Sequence, residues 1–342
     1  MAYFGLDIGS YSAKLVKAEG SGNVKVSQAV MVSNPAGQGL PNDPNQFQQL
    51  ATAIKDMVHE GGMGGLACHL SVPGLQAYVS IVGMPVMSDA ELASAIKWEA
   101  EQHIPVSLEE VNFEYDVVWR PPKGSSEQNM NVFLAGVPKT TVERYLELMR
   151  TVGVEVIGME PEVVSLTRTF FGGKGKDADS TTLICNMGAL STTFLVIDQG
   201  RIEVAHSSSI GSLALTRALE RAFGLEPSQA EEYKRTYGLN PSQLEGRVRG
   251  ALIPVFEAQV AEIKKTMQFY STKSGGKQTV KRLLLCGGGA NLPDMAGYLA
   301  EILSIEVVTV DPFAKADTKK VKQLPAEHAS FSVALGLAMK EF

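Results

Sequence analysis

The sequence predicts an α/β protein of two domains built on one plan, with a smaller unit inserted into the first. Three observations lead there. Helix-period and strand-period segments alternate along the chain. A strand, glycine turn, strand pattern at residues 2–19 returns at 182–197 around Gly188. Between Tyr78 and Thr151 the spacing changes to a compact β-α-β-β-α run. With 342 residues the chain has room for about two globular units with cores of their own.

The opening strand, 2–6, is apolar and breaks at Asp7-Ile8-Gly9-Ser10, after which 14–19 alternates and 24–32 continues the meander. Asp43 and Pro44 signal a helix over 45–60, with Phe47, Leu50, Ile54 and Val58 along one face. Gly61-Gly62-Met63-Gly64-Gly65 then stops it; an anion-binding loop needs its glycines before a helix, not after one. In the insert, Ser88 and Glu91 form a capping box for a helix running to about His103. Phe113, Tyr115, Val117 and Trp119 alternate on a strand, 130–137 pairs back, and Val142, Tyr145, Leu146 and Met149 carry a helix over 140–151. A strand at 154–159 and a helix at 162–171 follow, and the glycine-rich 172–177 reads as a hinge or boundary. The second half has strands at 182–187 and 192–197, helices at 212–223, 228–237 and 252–270, and a buried strand at 282–286 that leads into a glycine triplet. A strand at 305–310 and a helix at 330–342 complete it. The division expected is a first domain of residues 1–77, 152–177 and 326–342, an insert of 78–151, and a second domain of 178–325 whose helical part covers about 212–279.

Composition removes several functional classes. With 44% hydrophobic and 20% charged residues, the chain is neither disordered nor coiled-coil. A net charge of −6 and no basic cluster argue against general nucleic-acid binding. No apolar run reaches the roughly 18 residues of a membrane span, and residues 1–9 run into a strand without a signal-peptide pattern, so a cytoplasmic location is expected. Cys68, Cys185 and Cys286 stand singly in apolar stretches and read as buried small hydrophobes.

The chemistry lies in the glycine turns. A hairpin that surrounds a polyanion with backbone N–H groups needs small residues and a cation. Gly9, Ser10 and Ser12, with Tyr11 inside the turn, supply the hairpin, and Lys14 can point back at phosphates. Asp7 is placed to hold Mg²⁺ through water, since hard oxygen ligands suit that ion. Alone, such a hairpin is equally a plain turn.

Together with Asn186-Met187-Gly188-Ala189 and Thr192, and with Leu285-Cys286-Gly287-Gly288-Gly289-Ala290, it resembles the phosphate and adenosine motifs of the actin-like ATPase superfamily. Glu160-Pro161-Glu162 and Ala334-Leu335-Gly336-Leu337-Ala338 match its two interdomain connections. The insert resembles that of the PilM-like type IV pilus assembly proteins, through Glu91-Leu92, Ile96-Lys97-Trp98-Glu99-Ala100-Glu101, Ile104-Pro105 and Val137-Pro138-Lys139. FtsA-like division tethers carry a related insert; a small-molecule kinase of the same fold is a more distant alternative.

The resemblance implies an actin-like two-domain ATPase fold that binds ATP and Mg²⁺ between its domains. Gly211 would face the nucleotide, Glu231 and Lys234 would reach ribose and base, and Gly287, Gly288 and Gly289 would lie against the adenine. Glu231 and Lys234 also read as a solvated i,i+3 pair, and Glu160 as either a water-orienting acid or a simple helix-start acid. Asn186 stands where relatives have Asp, so hydrolysis is expected to be slow, and an Asp restored there to raise it. The resemblance further implies a partner, the N-terminal cytoplasmic peptide of a PilN-like membrane protein, held in a groove beside the insert. That partner would bring the chain to the cytoplasmic face of the inner membrane, with self-association as dimer or filament a further possibility of the family. Trp98, Ile96 and Ile104 are read as either insert core or lining of that groove.

Overall fold

The computed structural model describes residues 2–20, 23–125, 127–172 and 181–340. Most of the expected hinge at 172–177 lies outside the described residues. Strands β1 (Tyr3–Ile8), β2 (Ser12–Glu19) and β3 (Lys25–Ser33) form the expected meander, followed by α1 (Pro44–Glu60) and β4 (Ala67–Val72). The Asp43 side chain caps α1 by accepting from the Gln46 N–H, and Gly61 ends it, so the glycine run is a helix stop.

The insert comprises β5 (Tyr78–Pro85), α2 (Asp89–His103), β6 (Val111–Trp119), β7 (Asn129–Pro138) and α3 (Lys139–Val152). Its sheet has the order β5-β7-β6. The Ser88–Glu91 capping box forms. Leu92, Ile96 and Ala100 of α2 pack on one face of the sheet against Val82, Val132 and Leu134. The last helix of the unit behaves differently. Tyr145, Leu148, Met149 and Val152 of α3 join Leu50, Ile54 and Met57 of α1 in one core, so α3 is a layer of the first unit.

β8 (Val156–Pro161) and α4 (Glu162–Phe171) return the chain to the first sheet. The second half opens with β9 (Thr182–Met187), β10 (Thr192–Asp198) and β11 (Arg201–Ser208). Helices α5 (Leu213–Phe223), α6 (Pro227–Tyr237) and α7 (Arg247–Lys273) follow, with Pro254 inside α7. β12 (Arg282–Cys286), α8 (Met295–Leu303), β13 (Glu306–Thr309) and α9 (Ser332–Ala338) complete the chain. The two large sheets run β3-β2-β1-β4-β8 and β11-β10-β9-β12-β13. In each, the first three strands pair antiparallel and the next two add in parallel, which is the duplicated plan read from the glycine turns.

Every residue of α9 is buried. It crosses α4 at close range: a Cβ on Gly336 would lie 2.0 Å from the Ser165 carbonyl oxygen. Only glycine admits that approach, so the two connections between the halves touch backbone to backbone.

Candidate functional site

The first turn closes where the Gly9 N–H donates to the Ser12 carbonyl at 3.1 Å. In the second half the Gly188 N–H donates to the Ser191 carbonyl at 2.8 Å. One turn geometry is thus built twice, and both turns line a single cleft between the halves. Asn34 braces the first turn from behind, its side-chain amide donating to the Gly9 carbonyl at 3.0 Å. Lys14, buried on β2, donates to the Ser12 carbonyl at 3.1 Å and lies 3.6 Å from Asp7 Oδ2. The Ser71 hydroxyl fixes the other Asp7 oxygen at 2.8 Å.

The glycine triplet forms the third wall. Gly287 has φ +81°, and a Cβ there would come within 2.6 Å of Asn186 Oδ1. The triplet therefore needs glycine both for its backbone angle and for its contact with the second turn. On the helical side, Lys234 Nζ donates to Glu231 Oε2 at 2.7 Å and to Thr216 Oγ1 at 2.9 Å. Burial lowers the Lys234 pKa, with Glu231 opposing. Lys234 is buried and Glu231 partly so, which makes the pair an element of the cleft wall rather than a solvated surface pair. Arg235 and Glu327 also line the cleft and form an ion pair.

Thirteen of the residues read from the sequence for the nucleotide line this cleft: Asp7, Gly9, Ser10, Tyr11, Ser12, Lys14, Gly188, Ala189, Glu231, Lys234, Gly287, Gly288 and Gly289. Asn186 lines it as well. Two expected residues stand behind the wall. Thr192 is buried and donates to the Ile210 carbonyl at 2.7 Å, which ties the two segments together. Gly211 packs on Ala189, whose carbonyl oxygen would meet a Cβ at 2.3 Å. Ser191 and Ser212 occupy the lining instead.

The larger correction concerns the carboxylate at the first connection. Glu160 forms a paired ion bridge with Arg168 at 2.8 and 3.1 Å, with Lys340 at 3.4 Å, and it lines a different groove. Glu162 is the acid that enters the cleft. It accepts from the Gly74 N–H at 2.8 Å, from the Asn186 amide at 2.9 Å and from the Thr193 hydroxyl. Burial raises its pKa; the Thr193 and Gly74 hydrogen bonds oppose that, and nearby Asp7 adds to it.

Of the two readings of the insert residues, the core holds for two of the three. Ile96 and Ile104 are core of the insert, whereas Trp98 on α2 is 75% exposed and stands outside that core. A groove does lie between insert and first unit, about 1060 Å³ in volume. Its walls come mainly from β6, β7, α3 and β8, with α4 and, from the second half, Gly200 and Ile202 completing them; Tyr115, Val117, Val137, Val142 and Leu146 are among the side chains. β6 and β8 are edge strands of their sheets, so each carries an unpaired backbone row.

The profile of a family described as "Type IV pilus assembly protein PilM" matches residues 5–342. The chain belongs to the PilM family. A solved structure titled "PilM-PilN type IV pilus biogenesis complex" is 24% identical and covers 99% of this chain and 98% of its own, with a TM-score of 0.83. The ethanolamine utilization protein EutJ from Carboxydothermus hydrogenoformans is 14% identical over 98% of this chain and 88% of its own, with a TM-score of 0.57. MreB5 of Spiroplasma citri, solved bound to AMPPNP, is 13% identical over 98% and 94%, with a TM-score of 0.52. The fold is therefore the actin-like ATPase fold with a family insert, and the pilus family is favoured over the division tether and the kinase. Among the described residues no helix is long and apolar enough to cross a membrane.

Proposed function

We propose that this chain is an actin-like scaffold of a type IV pilus inner-membrane platform that binds Mg²⁺·ATP in the cleft and the N-terminal peptide of a PilN-like membrane protein beside the insert. The observation that carries the nucleotide half is the pair of matched turns, closed at Gly9 and Gly188, that face one cleft together with Lys14, Asp7 and the glycine triplet. Backbone N–H groups and one lysine suit a polyphosphate, and Asp7 suits the hydrated cation that such a charge requires. ATP is the nucleotide the fold family favours; bound Mg²⁺ neutralises the phosphates, while this chain's own residues orient them and close the halves over them.

Binding and turnover separate in this reading. Asn186 supplies no carboxylate to a water, so hydrolysis is expected to stay below about 1 s⁻¹. Asp7→Ala is expected to remove Mg²⁺-dependent ATP binding, a loss of roughly 2–4 kcal/mol. Calorimetry that finds wild-type affinity in this variant rejects the assignment of the cleft.

The partner half rests on the groove. Its apolar walls and two edge strands suit an extended peptide that gains backbone hydrogen bonds and side-chain pockets. Glu114, Asp116, Glu160, Arg168 and Lys340 are the charged groups that line that groove, which gives Glu160 of the first connection a place away from the nucleotide. Through this peptide the chain would sit at the cytoplasmic face of the inner membrane. A synthetic peptide from the N-terminus of the PilN-like neighbour is expected to bind with affinity on the order of micromolar. Leu146→Glu, which places a charge in the groove wall, is expected to weaken the peptide at least about tenfold and leave ATP binding intact.

A further inference from the structure

We propose that the lysine-rich segment between β13 and α9 is a docking face for an anionic lipid surface, a contact separate from both the cleft and the groove. The inference goes beyond the reading of those two sites and needs neither ligand to be bound.

The chain carries a net charge of −6, yet Lys315, Lys319, Lys320 and Lys322 crowd into one short stretch. All four are exposed. The segment is held in place along the start of β3. The Asp317 N–H donates to the Val24 carbonyl at 2.8 Å, and the Asp317 carbonyl accepts from the Val26 N–H at 2.9 Å, which sets the stretch beside exposed Lys25. Buried Phe313 packs on Phe331 with ring centroids 5.6 Å apart, and Ala316, Val321 and Leu324 pack on the same core. Apolar side chains therefore anchor the stretch from within while the lysines face solvent.

Little answers their charge. Among the described residues, Lys25, Lys319, Lys320 and Lys322 have no ion-pair partner. Three acids lie near. Asp311 pairs with His328 at 2.9 Å, Asp317 accepts from the Lys319 N–H at 3.1 Å, and Glu19 stands across the ladder from Lys25. From residue 318 to 326 there is no acid at all.

The residue type points to the kind of partner. Lysine offers a compact point charge without the bidentate fork of arginine, so lysines spread over an exposed face suit a plane of many phosphate headgroups better than a single carboxylate or phosphate. Each lysine close to an anionic leaflet strengthens attachment about fivefold. Negative charge on the rest of the molecule that lies beyond a Debye length, about 8 Å at physiological salt, is screened from the lipid. A nucleic acid is the poorer match, because the one aromatic ring of the segment, Phe313, is buried and offers no platform to a base. The face also lies away from the nucleotide cleft: along β2, Lys14 pairs with Asp7 at the cleft end, whereas Glu19 pairs with Lys25 at the other. β3 is one edge of the first sheet, and β8, which walls the groove, is the opposite edge.

Co-sedimentation of the full chain with vesicles tests this. Wild type is expected to bind vesicles of equal parts phosphatidylcholine and phosphatidylglycerol, to ignore vesicles of phosphatidylcholine alone, and to be released as salt is raised to about 0.5 M. Lys319→Gln, Lys320→Gln and Lys322→Gln combined are expected to weaken binding on the order of a hundredfold. The control makes the same change of charge at exposed lysines elsewhere, Lys97→Gln, Lys123→Gln and Lys264→Gln, and is expected to stay within about threefold of wild type. Equal losses in the two triple variants would mean that net charge alone acts and would overturn the proposal. So would a wild type that fails to bind the mixed vesicles, that binds both kinds equally, or that leaves the mixed vesicles for a fluorescent single-stranded oligonucleotide. Affinities of the first triple variant for Mg²⁺·ATP and for the peptide are expected to equal those of wild type, so the failure of either of those readings leaves this test standing.

Discussion

Glu160 and Glu162 differ by two positions, and the difference between them is the end of a strand. In a continuing strand they would share a face. Here β8 stops at Pro161, which serves as N-cap of α4, so Glu162 begins a helix and its side chain turns into the cleft. The motif in the sequence locates the connection but not this rotation, which depends on the residue at which strand gives way to helix. The place of Gly9, Gly188, the glycine triplet, Asp7 and Lys14 in one cleft was legible because it follows from residue type and local turn geometry. Thr192 was not, because its hydroxyl is taken by the carbonyl of Ile210, distant in sequence. His69 behaves likewise. Burial pushes its pKa down to about 4, against the pull of Glu160. Since the unfolded chain protonates it near 6.5, its contribution to stability is present above that pH and is lost as pH falls towards 4. The loss is expected to be on the order of 2–3 kcal/mol. Denaturant titrations of wild type at pH 7 and 4.5 should show it, and His69→Gln should flatten the dependence; an equal fall in that variant assigns the effect elsewhere.

At the scale of elements, helix ends were the most readable features. Asp43 and Ser88 cap the helices they announce, because a cap is a contact within four residues. The placement of α3 was not readable. Its amphipathic pattern says that one face is buried but does not say against what, and the partner turns out to be α1, distant in sequence. Strand β11 and helix α8 were absent from the reading altogether. β11 carries polar residues along an edge, and α8 is a short apolar segment that resembles a buried strand. The contact of α9 with α4 yields a test at this scale. Gly336→Ala puts a methyl group where the Ser165 carbonyl stands, so the helices must part, and a destabilisation of roughly 1–3 kcal/mol is expected from the urea midpoint. Gly83→Ala, on β5 where a Cβ meets nothing within 4 Å, is the control and should change stability by less than about 0.5 kcal/mol.

For the whole molecule, the first connection joins the two sites. Glu162 faces the cleft while Glu160 and Arg168 line the groove, so one short segment touches both. If domain closure links them, Mg²⁺·ATP changes peptide affinity by some factor, and the peptide must change ATP affinity by the same factor. Calorimetry in both orders tests that equality, and unity in both directions shows the sites to be independent. The ion pair of Arg235 and Glu327 carries a separate consequence, in time rather than affinity. One partner comes from α6 and the other from the segment before α9, and both border the cleft. In the proposed reading a nucleotide in the cleft leaves past this pair, and its residence is then expected to depend on a contact that it does not itself make. Arg235 is half exposed, and salt screens such pairs. Displacement of a fluorescent nucleotide is therefore expected to quicken as ionic strength rises, and Glu327→Gln should erase that acceleration by leaving the exit open at every salt concentration.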